Sequence, residues 1–168
     1  RCLNFAVSSS GGTASMRTGL DRMRELTGID PRALPEAILQ ATEPVVIRGL
    51  VADWPVVKAG LGSAQAAVTY LRSFYRDATV GAWHGAPEIE GRFFYSEDFK
   101  EFNFRRGWLK LDAVLDEIER HRDDPRPPAI YVGSTTVDTC LPGFRAENDL
   151  GLGGRSALMS VWLGNRTR

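Results

Sequence analysis

A helix that runs into a cluster of prolines and is followed at once by a strand constrains this chain most. Leu111, Val114, Leu115 and Ile118 fall at i, i+3, i+4 and i+7, with Asp112, Asp116, Glu117 and Glu119 mostly outside that stripe. The run Asp123-Asp124-Pro125-Arg126-Pro127-Pro128 ends the helix, because proline has no N–H to donate and restricts the residue before it. Ala129-Ile130-Tyr131-Val132-Gly133 then reads as a short strand. A helix with one apolar stripe must bury it, and a strand so close in the chain points to a layer of helix on sheet.

The other segments extend that pattern. Leu20, Met23 and Leu26 step at helical spacing towards a stop at Gly28, which predicts a first helix. Asp30-Pro31 predicts a second short helix carrying Leu34, Ala37 and Ile38, with Asp30 as its N-cap. Pro44-Val45-Val46-Ile47-Arg48-Gly49 reads as a strand, and Trp54-Pro55 starts a turn or short helix. Ser63 caps an amphipathic helix whose inner face holds Ala67, Leu71 and Phe74. Residues 78–83 read as a strand, residues 91–96 and 102–104 as aromatic-rich extended pieces, 135–156 as a glycine-rich connection and 157–163 as a final strand. Residues 1–19 are small, polar and aperiodic, and are expected to be flexible. Residues 20–168 form one domain, of class α+β rather than a regular βαβ alternation.

The 168 residues are enough for one core, and the 21 basic and 21 acidic side chains cancel, so nothing asks for nucleic acid or an anionic membrane as partner. No apolar run approaches the roughly 20 residues that span a bilayer. Cys2 and Cys140 are far apart and outside any Cys-x-x-Cys pair, which fits free thiols in the cytoplasm. The stretch from Leu3 to Val7 is too short for a signal peptide. The first residue is not Met and the last strand has no tail, so the chain reads as a piece of a longer product.

Taken singly, the residues offer no complete catalytic constellation. There are two histidines. His121-Arg122-Asp123 spells His-x-Asp, two ligands of a facial iron triad, but it sits at a charged helix end and reads as solvated surface. His84 reads as a turn histidine at a strand end. Cys140 lacks a neighbouring base. Gly151-Leu152-Gly153-Gly154 lacks the Lys-Ser/Thr and the helix of a phosphate loop. The aromatic group Phe93, Phe94, Tyr95, Phe99, Phe102, Phe104 and Trp108, with Arg92, Arg105 and Arg106 nearby, reads as core packing rather than base stacking.

Three segments in order resemble the bacterial cupin-like, Jumonji-C-related family. They are Glu43-Pro44-Val45-Val46-Ile47-Arg48-Gly49-Leu50 with Trp54-Pro55; the stretch from Gly91 through Phe104 into the 111–118 helix; and Ile130-Tyr131-Val132-Gly133-Ser134, Leu141-Pro142-Gly143-Phe144, Glu147-Asn148-Asp149 and residues 160–167. The resemblance implies a jelly roll, here only its first strands behind N-terminal helices, and an Fe(II)/2-oxoglutarate-dependent oxygenase, a hydroxylase using a small-molecule co-substrate; the family's substrates include protein side chains, and nothing in this sequence selects one. It further implies that the metal ligands, His-x-Asp and a later His, follow Arg168, so that this chain alone neither holds Fe(II) tightly nor turns over 2-oxoglutarate. On the same resemblance Tyr131 lines the co-substrate pocket, its phenol able to donate to a carboxylate. Ser160 and Trp162 share one face of the last strand, leading towards the metal site. A non-catalytic cupin-like binding or scaffold module and a homodimer formed through the helices are the competing expectations.

Overall fold

A computed structural model describes residues 23–152 and 157–165. The expected flexible segment 1–19, Leu20, Cys2, Gly153, Gly154 and the last three residues lie outside that span. The class is mixed helix and strand: a two-stranded parallel sheet and a four-stranded antiparallel sheet in the order β4-β3-β5-β6. The elements are β1 (Arg24–Thr27), α1 (Glu36–Leu39), β2 (Val45–Arg48), α2 (Pro55–Gly62), α3 (Ala64–Phe74), β3 (Thr79–Gly85), β4 (Phe104–Lys110), α4 (Leu111–Arg120), β5 (Ala129–Thr136), α5 (Val137–Cys140) and β6 (Ser160–Asn165).

The N-terminal expectation is corrected. Residues 24–27 are not a helix but β1, paired in parallel with β2 from Arg24↔Val45 to Thr27↔Arg48. A helix of two turns without a cap is marginal in water, whereas β2 offers a whole ladder of hydrogen bonds. Arg48 closes the pair with two bonds to the Glu25 carboxylate, at 3.0 and 2.7 Å. Asp30 does accept from the Arg32 N–H, but this closes a turn. The helix that follows is the single turn α1, entered through Pro35.

The strongest patterns hold. Ser63 Oγ accepts from the Ala66 N–H at 2.9 Å and starts α3. Leu111, Val114 and Leu115 of α4 are fully buried. Together with Val56 and Val57 of α2 and Val68 and Leu71 of α3 they cover one face of the four-stranded sheet, meeting Val80, Ala82, Ile130, Val132 and Leu163. Arg72 of α3 bridges Asp116 and Glu119 of α4 on the outside of that layer.

The connection after β5 is more ordered than its glycines suggest. It contains α5, then a 3-10 turn at Phe144–Ala146. Asn148, fully buried, pins this segment to the helices. Its Oδ1 accepts from the Val56 N–H at 3.1 Å, and its Nδ2 donates to Phe144 O at 3.0 Å and to the Tyr70 hydroxyl at 2.8 Å. Val56 lies in the first turn of α2, where N–H groups have no partner within the helix. Trp54 precedes that helix and gives no side-chain cap, so an asparagine far along the chain does the capping.

Replacing Asn148 with Ala leaves the Val56 N–H buried and unpaired, a loss of about 2–3 kcal/mol by denaturant titration. Ser63→Ala costs about 1 kcal/mol by the same measurement. The Tyr70 phenol is pushed up to about 12, first by burial and then by the Glu147 carboxylate that accepts its proton, against the opposing donor from Asn148. A raised folded value means that the neutral phenol stabilises the fold. That contribution is complete below the unfolded value near 10 and is lost as pH rises through about 12. Tyr70→Phe therefore flattens the alkaline limb of a stability–pH curve between those two values.

Candidate functional site

The four-stranded sheet has two unlike faces, because side chains alternate along each strand. The helices cover the face that carries Val80, Ala82, Ile130, Val132 and Leu163. On the opposite face the register places Gly81 beside Trp108, Trp83 beside Arg106 and Tyr131, and Tyr131 beside Gly164. No helix of the described residues covers this second face, and it is where the candidate site lies.

Aromatic rings dominate it. Trp83 lies against Tyr131 at 5.1 Å between ring centroids, against Phe104 at 5.3 Å and against Phe93 at 6.1 Å. Phe102 stacks on Phe104 at 4.9 Å and Tyr95 on Phe102 at 5.1 Å, carrying the cluster to the edge. This corrects the expectation that the group is core. Phe94, Tyr95, Phe99, Phe102 and Trp108 are all exposed, and only Phe93 and Phe104 are half-buried. The rings pack on one another, on the side of the sheet away from the helices. Two glycines lie beneath the rings: a Cβ on Gly81 would sit in ordinary contact with Trp108, and one on Gly133 in ordinary contact with Trp83.

Tyr131 stands in the middle of this face, half-buried between Trp83 and Phe93. Its hydroxyl makes no hydrogen bond to any described residue, and among those residues the ring is held by packing. Ser160 and Trp162 follow the alternation of β6 onto the same side, the reverse of Leu163, and Trp162 is 55% exposed.

The remaining candidates fall elsewhere. His84 projects to the helix side, where its Nε2 lies 2.9 Å from Glu117 Oε2. His121 ends α4, with Nδ1 3.2 Å from Asp124 Oδ2 of the following turn. Each ring is engaged with a separate carboxylate on a separate element, and no group of three metal-binding side chains occurs among the described residues. These residues do not fit an Fe(II) site. Cys140 is fully buried, and burial pushes its thiol up, the reverse of what a nucleophile requires. Gly151, first of the glycine run, is a point of close backbone contact: its N–H donates to Pro31 O at 2.6 Å, and a Cβ there would collide with the carbonyl of Arg32.

Arg106, read from the sequence only as one of three arginines near the aromatic group, belongs to this face. Its guanidinium lies over the Trp83 ring, 5.4 Å from the centroid. The period-two order of Phe104, Arg106 and Trp108 was the available signal, but the aromatic run before it masked where β4 begins.

Comparison with known proteins agrees with this architecture. No curated protein matches the sequence significantly. A family model described as the cupin-like domain matches residues 31–168, which takes in every element from α1 to β6 and the whole of both sheet faces. The chain belongs to the cupin-like domain family.

Proposed function

We propose that this chain forms the N-terminal part of an Fe(II)/2-oxoglutarate-dependent oxygenase of the hydroxylase type, with the iron ligands carried by other residues than those described. Membership of the cupin-like family supports the reading. The observation that carries it is the hydroxyl of Tyr131, bonded to no described residue, on the uncovered sheet face and braced by Trp83 and Phe93. A phenol there is a neutral donor in a setting walled by apolar rings, which suits a carboxylate of 2-oxoglutarate. In this reading the face becomes the inner wall of a jelly roll, and Ser160 and Trp162 line the route towards the metal. The chain contributes binding and orientation: the indole of Trp83 packs against the Tyr131 ring and holds it on this face.

The first test is the gene beyond the codon for Arg168. A His-x-Asp triplet, two ligands of the facial triad, is expected within about ten residues of it, as the family resemblance implies; a sequence without one overturns the oxygenase reading and leaves a cupin-like binding module. The second uses the protein carrying that triplet. Tyr131→Phe should raise the KM for 2-oxoglutarate about tenfold or more, the worth of a hydrogen bond to a charged group, with a smaller change in kcat. An unchanged KM with a lowered melting temperature would make Tyr131 a packing residue only. Iron affinity of the same protein should be indifferent to His121→Ala.

A further inference from the structure

Beside the aromatic cluster, the uncovered face holds a cleft of about 430 Å³ that does not include Tyr131. Its floor is Gly81 and Gly133, and its walls are the indoles of Trp83 and Trp108, the latter 78% exposed. Arg106 reaches over it from β4. Ser134, Thr136 and Thr139 bring hydroxyls to the opposite rim, none bonded to a described residue.

The chemistry of this lining selects its ligand. No Asp or Glu lines the cleft, and Arg106 has no acidic partner among the described residues. The Arg106 guanidinium lies over the Trp83 ring as a cation–π contact, and none of its N–H groups is bonded to a described residue, so the fork that matches a carboxylate is available. Arg105, the adjacent cation, faces the other way by alternation, opposite His84. One available cation suits one negative charge, not a polyanion. The hydroxyls add neutral donors, and the two indoles offer flat apolar area to a ring or hydrocarbon body.

We propose that this cleft binds a monocarboxylate carried on an aromatic or apolar body, with Arg106 as the carboxylate partner and Trp108 as the stacking wall. The cleft shares its sheet face and Trp83 with the oxygenase reading, but it uses neither Tyr131 nor a metal. The carboxylate can be that of a free aryl acid or the acidic side chain of a peptide next to an aromatic residue.

Tryptophan fluorescence of this chain, without iron or 2-oxoglutarate, tests the proposal. Phenylacetate should quench it saturably, while phenylacetamide, with the same ring and no charge, should not. Arg106→Met keeps the stem and removes the charge; it should weaken phenylacetate by about tenfold, with the far-UV circular dichroism unchanged because the side chain is exposed. Tyr131→Phe should leave the affinity unaltered. Absence of saturation at millimolar phenylacetate, equal binding of the amide, or indifference to Arg106→Met would each overturn the proposal. Acetyl-Phe-Glu-amide binding more tightly than phenylacetate assigns the cleft to an acidic peptide, and the reverse order to a free aryl acid.

Discussion

The described structure hangs on the buried amide of Asn148. It answers an unpaired N–H at the start of α2, the carbonyl of Phe144 and the hydroxyl of Tyr70 in one place. Buried polar groups are stabilising only when every partner is present, and here every partner comes from a different segment. The contact holds the 3-10 turn at Phe144–Ala146 against the helices, where Phe144, Tyr70 and Phe74 pack edge to face. That position in turn sets where the chain re-enters the sheet as β6. A second asparagine does similar work at the far end: Asn165 Oδ1 accepts from the Ile130 N–H at 2.7 Å, and its Nδ2 donates to Pro128 O at 3.0 Å. The Asn165 amide thereby fixes the backbone immediately before Tyr131.

With the helical layer fixed to one face, the sheet acquires its asymmetry. One side is aliphatic and closed; the other is aromatic, glycine-spaced and open. An exposed apolar surface of this kind is costly to leave wet and commonly marks a place for another molecule or chain segment. Tyr131 and the Arg106 cleft are two regions of that one surface, separated by Trp83, which borders both. Their chemistry differs because the cation sits on one side of the indole and the phenol on the other.

Much of this was legible in the residues. Helix α4, the proline stop after it, the Ser63 cap and the strands at 45–48 and 129–133 follow from periodicity and local chemistry, which act within a few residues. The first strand was not legible, since Leu20, Met23 and Leu26 fit a helix as well, and only β2, some 20 residues later, decides the matter. The aromatic run was equally ambiguous: rings at 93–108 can fill a core or cover an open face, and composition does not distinguish them.

By itself the sequence determined the class of fold, the apolar stripe of α4, the points where elements stop and the absence of a ligand-spaced histidine pair, because each depends on neighbours along the chain. Only the tertiary structure decided which side of the sheet the helices take, that Asn148 caps a helix 92 residues away, and that Tyr131, Trp83 and Arg106 share a face. Those outcomes depend on register. A one-residue slip would send every side chain of a strand to the opposite side.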